Sequence, residues 1–275
     1  SSGIFCNVIV VDNASTDDSY ELFKDRPFKI IYNTENAGFG KACNQAFSQS
    51  NADYILLLNP DTVSEPSVLE NLVGFLEKNP DYAITGPQQR DKNGLVLKTC
   101  CRFPTFKTSL FETLGLSKMF PKIFTPALLM TDWDHLQSKN GDHVMGSYML
   151  IRKSAIDKIG FMDDDYFVFL EDVDFSKRVS NAGFKTLYNS EYSIFHECGG
   201  TGHNLESYRL FYSLSSRRIY WKNHLGKINT YILTVVSIII EPLLIVVDSL
   251  INHKSSAIKK VGKEYYLYLK EMLHS

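Results

Sequence analysis

Several features are scarce in this 275-residue chain, and each scarcity excludes something. There are five cysteines, Cys6, Cys43, Cys100, Cys101 and Cys198. Their number is odd and their spacing matches no zinc pattern, which argues against a disulfide scaffold or a zinc module. They read as reduced thiols of a cytosolic compartment. No segment reads as a signal peptide. No apolar run reaches the roughly 20 uninterrupted residues of a membrane span, because Glu241-Pro242 interrupts Tyr231 to Val247. Net charge is small, −2, and no nucleic-acid partner is expected. That small total hides an acid excess over 1–201 and a basic excess over 202–275, so the basic end suits anionic lipid.

The composition that remains, 44% hydrophobic and 22% charged, is that of a globular chain large enough for one big domain or a domain with an extension. Ile55 to Leu58 is a short apolar run stopped by Asn59-Pro60-Asp61, which reads as a strand buried on both faces. The carboxyl ends of such strands are where open α/β sheets hold ligands, so Asp61 is placed to meet a hard cation and a diphosphate. Val8 to Val11 is a similar strand ending at Asp12 and Asn13. Ala14 to Asp18, with Ser15 and Asp17, caps a helix over about 17–25. Ile30 to Tyr32 is a third strand, and Asn33 to Gly40 is a turn. That turn opens a helix with Phe39, Ala42, Cys43, Ala46 and Phe47 on one face. Pro66 starts the next helix, whose inner stripe is Val68, Leu69, Leu72, Val73 and Leu76. Strands alternating with helices predict an α/β fold with a mostly parallel sheet.

Farther on, Ala83 to Pro87 is read as a strand. Residues 100–142 show no sustained period; they read either as a binding loop in which Trp133 contacts an acceptor or as a surface loop. Val144 to Arg152 is a strand containing Gly146, and Ser154 to Ile159 is a short helix. Leu170 opens another helix, with Phe175, Val179 and Ala182 inward and Gly183 at its end. Asp174 and Arg178 form a structural i, i+4 pair. Glu171 and Asp172 are, by themselves, acids of a first helical turn. A strand over about 186–194 leads to His196. Tyr208 to His224 is a basic, aromatic helix in which Arg217 and Arg218 suit a pyrophosphate-linked acceptor, or simply pack on the domain. Tyr231 to Val247, with an acid and a proline near its middle, reads as a re-entrant or interfacial hairpin. A soluble helical pair or a dimer contact, hence a homo-oligomer, is the competing reading. Ser256 to Leu273 has Ile258, Val261, Tyr265, Tyr268 and Met272 on one stripe, which suits a membrane surface.

Three blocks carry a more specific signal: Val-Asp-Asn-Ala-Ser-Thr-Asp-Asp-Ser at 11–19, Asn-Thr-Glu-Asn-Ala-Gly-Phe-Gly-Lys-Ala-Cys-Asn at 33–44, and Leu-Leu-Asn-Pro-Asp at 57–61. Together they resemble the rhamnosyltransferase-like branch of family 2 glycosyltransferases, inverting enzymes of the GT-A fold. The resemblance implies a nucleotide-diphosphate sugar donor, dTDP- or UDP-linked, met by Asp12, Asn13, Ser15, Asp17, Asn36, Gly38, Lys41, Asn59, Asp61 and Gly146. Gly38 and Gly40 would let the backbone approach that ligand. Glu171-Asp172 resembles the family's Glu-Asp motif, whose aspartate is the catalytic base; Asp61 and His196 would share Mg²⁺ or Mn²⁺ with the donor. The acceptor implied is a glycan or a polyprenyl-diphosphate-linked glycan, at the cytoplasmic side of the cell membrane, to which the chain binds peripherally or monotopically. The expected division is a catalytic domain over 1–203 and a helical membrane-associating extension over 204–275. Family members begin with one further strand and helix that this chain lacks. A truncated, non-catalytic homologue acting as a binding or assembly subunit is therefore the alternative, and a nucleotidyltransferase a weaker one.

Overall fold

The computed structural model describes residues 4–197, 208–251 and 255–274. In chain order its elements are β1 (Ile9–Asp12), α1 (Ser19–Phe23), β2 (Lys29–Tyr32), α2 (Phe39–Phe47), β3 (Tyr54–Leu58), β4 (Thr62–Val63), α3 (Pro66–Lys78) and β5 (Tyr82–Arg90). Then come β6 (Cys100–Cys101), α4 (Phe106–Thr113), α5 (Leu116–Met119), β7 (Lys139–Gly141), β8 (His143–Val144), β9 (Tyr148–Arg152), α6 (Lys153–Ile159), α7 (Glu171–Asn181) and β10 (Lys185–His196). The chain closes with α8 (Arg209–His224), α9 (Lys227–Ile251) and α10 (Ser255–His274). It folds as two compact units, Ser1–Cys100 with His135–Cys198, and Cys101–Asp134 with Gly199–Ser275. The boundary expected at 203 lies outside the described residues, as does Cys198.

The first unit is an α/β sheet flanked by helices. Its main sheet runs β3-β9-β5-β10-β4, with β7 also on β10, while β1 and β2 pair parallel in a sheet of their own. The pairing is mixed where the strand–helix alternation predicted it mostly parallel. β10 runs parallel to β5, but β9 inserts antiparallel between β3 and β5. One face of the sheet is closed by the predicted α3 stripe, Val68, Leu72, Val73 and Leu76, against Tyr148, Leu150 and Ile194. Alternation sends Met149 and Ile151, also buried, to the other face. There Phe161 stacks edge-on against Phe175 of α7 and tilts against Phe47 of α2. Asp174 and Arg178 pair at 2.8 Å as expected, with Asp174 buried.

The second unit corrects three expectations. Residues 106–119, read as irregular, form α4 and α5; α4 starts at a reciprocal cap between Thr105 and Thr108, a polar signature too short to stand out by periodicity. Tyr231 to Val247 is not a hairpin but part of the continuous 25-residue α9, with Pro242 inside it. Pro242 lacks the N–H that would bond the Ile238 carbonyl. Beside it, Tyr265 of α10 donates its hydroxyl to the Ser237 carbonyl at 3.2 Å, and Glu241 is neutralised by Arg217 of α8. Glu241 is thus neutralised by a tertiary contact, and the helix continues past Pro242. Finally, the stripe of α10 does not face a membrane. Val261, Tyr265 and Tyr268 are buried against Leu214, with Ile238, Ile245 and Met272 packed around them. The apolar face left open belongs to α9, where Tyr231, Ile239, Leu243, Val247 and Leu250 are exposed. By length and composition α9 suffices to cross a membrane.

Candidate active site

The predicted site residues of the first unit gather in three places. At the end of β1, Asp12 Oδ1 accepts the Ser15 amide at 2.9 Å, and Asp17 Oδ1 accepts the Ser19 amide at 3.0 Å. The Ser19 hydroxyl and amide hold the exposed Asp17 carboxyl below its usual range. Asn13 is the hub of the next turn. Its Oδ1 accepts from Asn33 and from the Ala37 amide, both at 2.9 Å, and its Nδ2 donates to Asn36 Oδ1 at 2.9 Å and the Gly38 carbonyl at 3.1 Å. Ala14, at φ 63°, is left-handed to make this possible. The amides of Asn13 and Asn36, expected to meet a donor, thus tie two loops together. Lys41 is exposed on the first turn of α2.

The expectation that Gly38 and Gly40 make room for a ligand is corrected. Gly38 has φ +90°, and a Cβ there would lie 2.3 Å from the Phe167 carbonyl oxygen, to which Phe39 donates at 2.9 Å. A Cβ on Gly40 would meet Met162 Cβ at 3.3 Å and Glu171 Cβ at 3.7 Å. Both glycines let α2 sit against the 162–171 segment of the protein itself.

The second cluster joins Asp61 and His196, 135 positions apart in sequence. β4 pairs antiparallel with the end of β10, which sets Thr62 opposite His196, and the Glu197 amide donates to the Asp61 carbonyl at 3.0 Å. Asp61 Oδ1 then lies 3.3 Å from His196 Nε2, each side chain 9% exposed. Asn59 shapes the turn: its amide donates to the Ser147 carbonyl at 2.9 Å and its carbonyl accepts the Thr62 hydroxyl at 2.6 Å. His196 Nδ1 sits 2.7 Å from Gln89 Oε1, and Gln89 bonds in turn with the Ser147 hydroxyl at 2.9 Å. An amide oxygen only accepts, so His196 donates from Nδ1 and presents Nε2 to the carboxylate. A ring nitrogen facing a carboxylate at this distance calls for a proton or a cation between them. One oxygen and one nitrogen donor fit a divalent cation whose remaining ligands come from a diphosphate and water. Among the described residues no group of three or more His, Cys, Asp or Glu side chains could hold a metal alone.

The third cluster is the start of α7. Phe169 and Leu170, at φ 70° and 66°, are both left-handed, which costs about 1–3 kcal/mol each and aims the first turn of the helix. Asp172 Oδ2 accepts the Gly146 amide at 3.0 Å and faces His143 Nε2 at 3.4 Å; Oδ1 accepts the Val173 amide at 2.9 Å. Its side chain remains 19% exposed. Burial pushes this carboxyl up, but the His143 charge and the hydrogen bonds outweigh it and hold Asp172 below the usual carboxylate range. Glu171, one residue earlier, is buried beneath α2, and among the described residues its Oε2 has no hydrogen-bond partner. Burial, then the neighbouring Asp172 charge, raises it well above that range. Gly146, expected to touch the donor, serves Asp172 instead: a Cβ there would stand 3.0 Å from Asp172 Oδ2.

The remaining predicted residues belong to the second unit. Arg217 is committed to Glu241, donating to both carboxylate oxygens at 3.0 and 2.8 Å, and lies over Trp221. That ion pair corrects the reading of Arg217 as a pyrophosphate ligand. Arg218 follows it on α8, and Trp133 adjoins Asp132, which takes Arg102 in a salt bridge. Gln89, Ser147, His143 and Ser176 were not foreseen. Nothing in Gly-Pro-Gln-Gln-Arg or Gly-Asp-His-Val marks them, because their roles come from strand register.

Over residues 3–160 the chain matches the model of Glycosyl transferase family 2. It is 25% identical over 205 residues to an N-acetylglucosaminyl-diphospho-decaprenol L-rhamnosyltransferase of Mycobacterium tuberculosis, covering 69% of this chain and 66% of that protein. A low-salt glycan biosynthesis hexosyltransferase of Haloferax volcanii is 25% identical over 174 residues, 62% of this chain and 52% of its own length. The solved mannosyltransferase of Pyrobaculum calidifontis, in complex with GDP-Man and Mn²⁺, aligns over 94% of this chain and 64% of its own at TM-score 0.48 and 12% identity. The chain spans about two thirds or less of these relatives. With the family model matching more than half of its residues, the chain belongs to glycosyl transferase family 2.

Proposed function

We propose that the protein transfers a sugar from a nucleotide-diphosphate donor to a hydroxyl of a glycan with inversion, Asp172 acting as the base. The observation that carries this reading is the setting of Asp172: its carboxylate is fixed by His143 and the Gly146 and Val173 amides, which favour its charged form, and it is still partly open to solvent. An acceptor hydroxyl is a poor nucleophile at neutral pH, and a fixed carboxylate within hydrogen-bond reach takes its proton as the oxygen attacks the anomeric carbon. One displacement inverts that carbon, so one carboxylate suffices. Glu171 is buried and holds its proton more tightly than an ordinary glutamate, which suits it poorly to the role. Asp61 and His196 would hold Mg²⁺ or Mn²⁺ against the donor diphosphate. The cation would neutralise the leaving group.

The rhamnosyltransferase among the relatives favours a deoxyhexose such as rhamnose on dTDP, with a UDP-hexose as the runner-up, and a polyprenyl-diphosphate-linked acceptor. A lipid-linked acceptor suits a protein resting on the cytoplasmic face of the membrane, and the open apolar face of α9 is the surface we assign to that contact. The test is Asp172→Asn, assayed for transfer from dTDP-rhamnose, with UDP-hexoses in parallel, to a short prenyl-diphosphate-linked N-acetylglucosamine. Turnover should fall about 10²–10⁴-fold with donor affinity unchanged. Full turnover in the variant would remove Asp172 from the mechanism.

A further inference from the structure

We infer that His143 is a positioning residue for Asp172: it spans the first two turns of α7 and fixes the orientation and ionised state of the carboxylate. The inference rests on the reading of Asp172 as the base. His143 lies on β8 with its side chain 2% exposed. Its Nδ1 stands 2.9 Å from the Ser176 hydroxyl and its Nε2 3.4 Å from Asp172 Oδ2. Ser176 is four residues beyond Asp172, so the two share one face of the helix, and the imidazole bridges them. Ser176 is fully buried, which makes it a fixed second anchor for the ring.

The same carboxylate oxygen receives the Gly146 amide from the turn that follows β8. Oδ2 is thus held by two groups on the strand side and Oδ1 by the Val173 amide, which sets the carboxylate plane. Other titratable groups oppose ionisation here. Glu171 precedes Asp172 on α7, and the Cys43 thiol faces both carboxyls from α2, its own ionisation disfavoured by burial and by their charges. Among these neighbours His143 alone favours the charged form of Asp172. A buried carboxyl that loses such a partner takes up a proton at higher pH.

The experiment uses the full chain and four variants: His143→Phe, which keeps a ring and removes both nitrogens; His143→Gln, which keeps an N–H donor; Asp172→Asn; and the His143→Phe/Asp172→Asn double. Two readouts are taken: titration of the Asp172 carboxyl by ¹³C NMR, which needs no substrate, and the pH profile of turnover in the transfer assay above. In His143→Phe the Asp172 midpoint and the acid limb of turnover should both move up by about one pH unit or more, with donor KM unchanged. His143→Gln should recover part of the shift. The double variant should be no slower than Asp172→Asn, because His143 acts only through that carboxylate. An unmoved Asp172 midpoint in folded His143→Phe overturns the inference. If His143→Phe does not fold, His143→Gln carries the test, and an unmoved midpoint there has the same consequence. Failure of the base reading looks different: Asp172→Asn would turn over normally, whatever His143 does to the titration.

Discussion

The Arg217–Glu241 pair decides whether the basic helix α8 is a ligand-binding surface or a structural lock. One guanidinium nitrogen meets both carboxylate oxygens, and the partners are 17% and 18% exposed. Removing one member of a fully buried pair costs about 3–5 kcal/mol, chiefly because the other charge is left unpaired. The residual exposure here admits some water, so Arg217→Met or Glu241→Leu alone should cost about 2–3 kcal/mol. For a chain of this size that is a drop in Tm of about 5–10 °C. Removing both charges together should restore most of the loss, since apolar side chains of similar volume replace such pairs at little or no cost. Thermal unfolding followed by circular dichroism measures all three variants and wild type, and the double-mutant cycle gives the coupling. If Arg217→Met melts with the wild type and its effect is instead a raised acceptor KM that the second substitution does not repair, Arg217 is a ligand contact and the structural account fails.

Three further outcomes follow from the site and from the tail. Asp61→Ala should abolish the Mn²⁺-dependent part of nucleotide-sugar binding measured by calorimetry; unchanged Mn²⁺ dependence would remove Asp61 and His196 as ligands. Glu171→Gln should stabilise the protein at neutral pH but not in acid. The folded-state value of Glu171 is raised, so wild-type stability is fully present below the ordinary glutamate range and is lost as pH rises through the folded value, while an amide has nothing to lose. Parallel Tm-against-pH curves for the two proteins would contradict this. Leu243 and Val247 are exposed on α9, so changing both to Asp should leave Tm within a degree or two and sharply reduce partition onto anionic vesicles; equal partition would mean that α9 is not the contact.

What the sequence made legible depended on whether a feature was local. The β3 strand, the α3 stripe behind Pro66 and the Asp174–Arg178 pair are set by residues a few positions apart, and each stands where periodicity or spacing put it, although β3 lies at the sheet edge with Leu58 exposed rather than buried on both faces. The turn at Asn59-Pro60-Asp61 was likewise readable, but its partner His196 came from the family resemblance, because the β4–β10 pairing that joins them has no local signal. Gln89 was illegible for the same reason: only the register of β5 against β10 brings it to His196. The tail misled for the opposite reason. Glu241 and Pro242 are local breakers, and the Arg217 guanidinium that neutralises Glu241 lies 24 positions from the carboxylate it meets.

The two carboxylates at the start of α7 show how little separates a base from a buried acid. Adjacent helical residues point about 100° apart. Glu171 is therefore turned toward α2 and Asp172 toward the turn between β8 and β9. Each direction is allowed by a glycine. Gly40 has no side chain to keep α2 off Glu171, and Gly146 has none to keep its amide off Asp172. A methyl group at 146 would crowd Asp172 Oδ2, and one at 40 would press on Met162 and Glu171. Read alone, both glycines looked like room for a ligand. In the fold they bring protein backbone against two acids of opposite character, one buried with its proton held more tightly than usual, the other held by two amides and an imidazole that favour its charged form. Under the proposed mechanism, the choice of Asp172 over Glu171 as base thus follows from the neighbours that these glycines admit.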